Sequence, residues 1–179
     1  MTLVLSGDSP SFSGTFQGGT ITSGTAVAAS GTAIDFTGIP SWVKRITVML
    51  NAVSTNGSSI PQLQIGTSGG IQTASYLGSA SALGNGSGVT SNLSSGFALS
   101  TTTNWNAAAT MNGSLTLSLL DASAGIWVCS GVLRWTGVTV TLFLGGTKTL
   151  SGVLDRIRLT TVNGTDTFDA GSVNILYEG

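Results

Sequence analysis

Apolar and polar residues alternate with a period of two along most of this chain. Ile46, Val48 and Leu50 interleave with Thr47, Met49 and Asn51, and Leu115, Leu117 and Leu119 with Ser114, Thr116 and Ser118. Val138, Val140, Leu142 and Leu144 interleave with Thr139, Thr141 and Phe143. The pattern returns at Ile157 and Leu159, and again at Val173, Ile175 and Tyr177. Successive strand side chains point to opposite faces, so each run predicts a half-buried strand with one apolar and one hydroxyl-rich face. Threonine suits these runs because its branched Cβ packs well on a pleated surface. No segment carries a sustained 3.6-residue apolar stripe, and Thr103–Met111 has room for at most one short helix.

Turn chemistry punctuates the runs. Asn-Gly pairs stand at Asn56-Gly57, Asn85-Gly86, Asn112-Gly113 and Asn163-Gly164, and Gly pairs at Gly69-Gly70 and Gly145-Gly146. Both dipeptides tolerate the positive φ of tight hairpins. Each Asn-Gly also opens a glycosylation sequon, but the opening Met1–Ser6 does not read as a signal peptide, so turn formation is the expectation. Short strands at close spacing with Gly-rich turns and no intervening helices predict an all-β fold, an antiparallel β-sandwich of jelly-roll type. Residues 33–179 form this domain, and residues 1–32, rich in Ser, Gly and Thr, read as an extended arm or loose leading strands. Residues 78–104 read as long loops at one end of the sandwich.

Composition changes the picture in one direction. The 179 residues hold no histidine and few charges: Lys and Arg number 6, Asp and Glu 7, for 7% charged and a net charge of −1. Disorder goes with low hydrophobicity and high net charge, and this chain is 41% hydrophobic. Its mean hydropathy is +0.38, yet its apolar runs fall far short of the ~20 residues that cross a bilayer. The remaining place to hide apolar area is another subunit, so a homo-oligomer is expected. The scattered basic residues give no footprint for nucleic acid. Cys129, the sole cysteine, sits in an apolar run and reads as a small buried hydrophobe.

Candidate chemistry is sparse. Asp155, Asp166 and Asp169 form the densest carboxylate group, around Asn163–Gly171. Calcium would want six to eight oxygens, but EF-hand spacing is absent and no Glu closes the loop, so side chains capping a hairpin turn are expected. Glycoside hydrolysis needs two acids across a cleft, which one turn does not provide. A serine nucleophile without histidine would need lysine, and neither Lys44 nor Lys148 follows a Ser-x-x-Lys pattern. The expectation is a non-enzyme with no cofactor and no metal. Trp127 and Trp135 fall in strand runs, as core or subunit-interface residues. Trp105 lies between Asn104 and Asn106, and a flat ring flanked by amides suits a sugar, with Tyr76 as a weaker companion. The competing reading is a loop tryptophan tucked onto the sandwich.

Three stretches resemble a β-rich module of tailed-bacteriophage tail-fibre and related virion proteins. They are Asp35–Met49, which contains Gly38-Ile39-Pro40-Ser41-Trp42; the short Gly66–Gly70; and Arg156–Ile175, which contains Asn163-Gly164-Thr165-Asp166-Thr167-Phe168. The likeness spans residues 33–178. It implies a homotrimeric virion structural protein, made in the host cytoplasm and carried on the particle surface, whose exposed loops contact a host glycan or protein. No functional residue is carried over from it. In fibres the module ends a much longer chain, whereas only residues 1–32 precede it here. The expectation is therefore a short tail-fibre tip or spike contacting the host surface and attached to other virion proteins through that arm. The alternative is a capsid decoration protein that covers the shell, and a third class is a polysaccharide-degrading tailspike-type enzyme.

Overall fold

In a computed structural model of the chain, the described residues are 21–84, 87–101, 105–137 and 140–179. They form no helix and fold as antiparallel sheets packed together, a sandwich-like all-β architecture. The larger sheet runs β1 (Ile21–Ser23), β14 (Phe168–Glu178), β4 (Arg45–Thr55), β10 (Thr110–Asp121), β11 (Ile126–Thr136), β12 (Val140–Thr149), β7 (Tyr76–Gly84) and β8 (Ser87–Leu93), with β2 (Val27–Ala28) also on β14. The smaller runs β3 (Ala33–Thr37), β13 (Arg156–Thr161), β5 (Pro61–Thr67) and β6 (Gly70–Ile71), with β9 (Phe97–Ala98) also on β5.

The alternating runs decide which face is inside. Ile46, Val48 and Leu50 of β4, Leu115 and Leu117 of β10, Leu142 and Leu144 of β12, and Ile157 and Leu159 of β13 are all buried between the sheets. Trp127, Cys129, Leu133 and Trp135 do the same along β11, so both tryptophans belong to the core of the single chain. Burying a side chain of this size stabilises by about 1.5–3 kcal/mol, and the sheets are held chiefly by this term. A hydrogen-bonded bolt adds to it. Tyr76 of β7 reaches across the core, where its hydroxyl accepts the Ile65 N–H of β5 at 2.8 Å and donates to the Gln72 carbonyl at 2.8 Å.

Several expected turns are elsewhere or are something else. Asn56-Gly57, Gly69-Gly70 and Asn163-Gly164 do turn the chain between strands, while Asn85-Gly86 lies outside the described residues. Gly145-Gly146 is a correction: it lies within β12, where a Cβ on Gly146 would come within 2.4 Å of the Leu77 carbonyl oxygen, so glycine serves close strand packing rather than reversal. The long loops expected over 78–104 are a second correction, since most of the segment is the β7–β8 hairpin. The helix allowed over 103–111 is absent among the described residues, where β10 already starts at Thr110. Of the leading segment 1–32, residues 1–20 lie outside the described residues, and β1 and β2 join the large sheet along β14.

Asn112-Gly113 is a third correction, with a physical reason. Between Leu50 and Val53 strand β4 carries one residue more than β10, and between Asn51 and Ser54 one more than β14, so β4 bulges at Ala52. Ala52 takes φ 51°, and its N–H donates to the Asn112 side-chain oxygen at 2.8 Å instead of to a neighbouring strand. On the other flank Gly171, at φ 91°, lies where any Cβ would sit 2.4 Å from the Ala52 carbonyl oxygen. Asn112→Ala strands the Ala52 donor and is expected to cost about 1–3 kcal/mol, seen as a lower urea midpoint at unchanged slope. Ala52→Gly relieves the left-handed backbone and is expected to leave the midpoint unchanged or raise stability by up to about 1 kcal/mol.

Candidate functional site

The aromatic residues suggested for sugar binding are spent inside the protein. Trp105 is buried at one end of the core, its indole N–H donating to the Thr55 hydroxyl at 2.9 Å and its ring meeting Trp135 edge-on at 5.9 Å. Tyr76 is the inter-sheet bolt, with its ring edge-on to Phe97 at 5.0 Å. Neither ring offers an open face for stacking, so the tucked arrangement is the one formed. Asn106 is exposed and caps its own turn, its side-chain oxygen accepting the Ala108 N–H at 2.9 Å. Asn104 lies outside the described residues. Tyr76 and Trp105 are not gathered into one site, because Tyr76 is tied to β5 and Trp105 to the end of β4.

The carboxylates are likewise engaged locally. Asp166 accepts the Ser59 N–H at 2.9 Å and the Asn163 amide at 2.7 Å, while Asn163 accepts the backbone N–H groups of Thr165 and Asp166. This is the turn capping expected of the segment. Asp169 takes a short hydrogen bond from the Ser54 hydroxyl, and Asp155 pairs with Arg156 at 2.7 Å. Asp121 caps the β10–β11 turn, and the Ser123 hydroxyl, with the N–H groups of Ala124 and Ser123, holds its carboxyl below the usual range. Among the described residues no three His, Cys, Asp or Glu side chains come together as a metal-holding group.

One charged side chain is buried among the described residues. Lys148 of β12 lies between Trp127 and Tyr76 in register, donates to the Ala74 carbonyl at 2.9 Å and stands 5.2 Å from the centre of the Tyr76 ring. Burial lowers its pKa. Burial also pushes the nearby Tyr76 phenol up to about 12 and raises the Cys129 thiol above its ordinary value. A protonated, buried thiol is a poor nucleophile, so Cys129 acts as the small hydrophobe its sequence context suggested.

The most site-like feature is a hollow of about 330 Å³ on the outer face of the smaller sheet. Leu63 and Ile65 of β5 face the core, which sends Gln62 and Gln64 outward. Both glutamines are nonetheless almost wholly buried, because residues 94–96 cross over them. Gln64 donates to the Ser95 carbonyl at 2.9 Å, and the Ser95 hydroxyl donates to the Gln62 side-chain oxygen at 2.8 Å. The approach requires glycine next door, since a Cβ on Gly96 would lie 2.7 Å from that same Gln62 oxygen. Along β13, Arg158 stands opposite Gln64 and Thr160 opposite Gln62. Arg158 grips Asp35 of β3 through two hydrogen bonds of 2.7 Å, which raises the guanidinium pKa and cancels its charge.

The hollow therefore presents amides, hydroxyls and a neutralised guanidinium, without net charge. Such a lining hydrogen-bonds a polar, uncharged ligand better than an anion. Sequence reasoning passed over it. The signal available was Gln62 and Gln64 alternating with Leu63 and Ile65, a strand whose outer face is amide rather than hydroxyl. No family model, curated protein or solved structure matches this chain.

Proposed function

We propose that the chain is a self-associating virion structural protein, a short tail-fibre tip or spike that touches the host cell surface. The observation that carries this reading is the division of its surface. A hydroxyl- and amide-lined hollow lies on the outer face of the smaller sheet, and a broad, nearly uncharged face lies on the larger. The resemblance of residues 33–178 to tail-fibre modules supplies the setting, along with the jelly-roll type and the trimer. The hollow is the surface that meets a host glycan, through hydrogen bonds from Arg158 and from the exposed Thr32, Thr73 and Asn163 that also line it.

Purified protein is then expected to bind susceptible cells and to compete with infection. Arg158→Ala removes a half-exposed ion pair of small stabilising value while deleting a charged donor from the hollow. It should weaken cell binding by about tenfold or more with little change in melting temperature. Equal binding by the variant would remove the hollow from the reading. Imaging of intact particles tests the setting: a few copies at the tail tip are expected, whereas hundreds spread over the head would replace the tip by a capsid decoration protein.

A further inference from the structure

We infer that the outer face of the larger sheet, centred on β11, β12 and β7, is a docking surface for a second copy of this chain. It takes from the proposed function only that copies associate, and it does not depend on a virion. Four of the large apolar side chains left in solvent converge on this one face. Val132 of β11 stands directly opposite Phe143 of β12, and Phe143 opposite Ser81 of β7. Leu83 and Leu77, opposite Thr141 and Thr147, point the same way because they are spaced by twos from Ser81. Val132, Phe143, Leu83 and Leu77 are 46–75% exposed. Exposed apolar groups scattered singly need no explanation, but Val132, Phe143 and Leu83 are neighbours across three adjacent strands, with Leu77 further along the same face, and such a set marks an interaction site.

Charge argues for a copy of the same chain as the occupant. No charged residue occurs between Arg45 and Asp121, so β7 and β8 carry none, and the outer faces of β4, β10, β11 and β12 add only the separated Arg45, Asp121 and Arg134. A self-complementary interface sets each surface against itself, so any concentrated charge would meet its like. This face avoids that penalty, while offering no charge pattern to select a different, charged partner. The edge of the same sheet is unguarded in the same way. β8 has neither charge nor proline, and those are usual devices for keeping an exposed strand from pairing. The size fits as well. Six strands from β4 to β8, at ~4.8 Å spacing and roughly eight residues of ~3.3 Å each, span roughly 700 Å². A standard stable interface covers about 800 Å² per partner.

Sedimentation velocity on the intact chain at micromolar concentration tests the inference. Wild type is expected at a multiple of 17.9 kDa. Val132→Lys with Phe143→Lys, both outward-facing and so compatible with the monomer fold, should weaken association by about a hundredfold or more. Val153→Lys, at an exposed apolar position in the β12–β13 connection, should associate as wild type does. Circular dichroism on the same samples separates dissociation from unfolding. As a second measurement, Phe143→Cys should react slowly with a maleimide at high concentration and quickly on dilution, against a silent background because Cys129 is buried. A wild type that stays monomeric, a double lysine variant of unchanged mass, or equal dissociation by Val153→Lys would overturn the inference. A monomer that instead sediments with phosphatidylcholine vesicles would overturn it in favour of a lipid surface. Loss of cell binding by Arg158→Ala is read in a different assay, so the two readings fail separately.

Discussion

Trp135→Ala is expected to lower the unfolding free energy by about 3–5 kcal/mol, the largest effect of any single truncation in the core. Trp135 is fully buried, stacked in register between Met111 and Val140 and edge-on to Trp105, so removing it leaves a cavity that two sheets cannot easily collapse into. Its indole N–H finds no acceptor among the described residues. That makes Trp135→Phe informative. The phenyl ring loses apolar contact but also removes a buried unpaired donor, whose burial costs about 1–3 kcal/mol. The variant should therefore lie within about 1–2 kcal/mol of wild type. Trp105→Phe should cost more, because it leaves the buried Thr55 hydroxyl without its donor. Urea denaturation of the three variants checks the order, and Trp105→Phe proving the milder phenylalanine substitution would refute it.

The second large effect lies at Tyr76 and is pH-dependent. At neutral pH, Tyr76→Phe leaves the Ile65 N–H and the Gln72 carbonyl without their buried partner and is expected to cost about 1–3 kcal/mol. Burial raises the phenol from 10.0 to about 12 in the folded chain. A raised folded pKa gives stability that is full below pH 10 and is lost as pH rises through about 12. Two units correspond to about 2–3 kcal/mol. Lys148 works in the opposite sense: its pKa is lowered, so its contribution grows as pH rises through the folded value towards 10.5. Wild type should thus lose stability between pH 10 and about 12, and Tyr76→Phe should make that slope shallower, the buried Cys129 thiol, whose pKa is also raised, keeping a share of the loss. A slope unchanged in the variant would assign the alkaline loss to other groups. With no histidine in the chain, little change is expected from pH 5 to 8.

What the sequence made legible follows from how each strand is buried. β4, β10, β12, β13 and β14 each have one wet face, so their apolar residues appear at every second position. β7 hid because its inward residues after Tyr76 are Gly78, Ala80 and Ala82, too small to mark a face, and its outward ones mix leucine with serine. Asn112-Gly113 misled because a dipeptide that permits a hairpin also serves a bulge, and only the partner strands decide between them. The aromatic site failed for a related reason. Polar neighbours placed Trp105 in a loop, but the loop folds inward onto Thr55, a residue 50 positions away. The hollow was invisible because Gln62 and Gln64 acquire their cover from Ser95, through contacts that no local pattern announces.

The place of β14 bears on how the chain gets folded at all. This strand lies between β1 and β4, with Val173 paired to Leu50 and Ile21 paired to Glu178. Closing the larger sheet thus joins segments from opposite ends of the domain, a loop closure that local hairpins such as β10–β11 cannot assist. Folding is expected on the millisecond-to-second scale typical of non-local β topologies. Until β14 inserts, β4 offers an open edge with Arg45 as its only charge, so the chain is most prone to mispairing while waiting for its last strand.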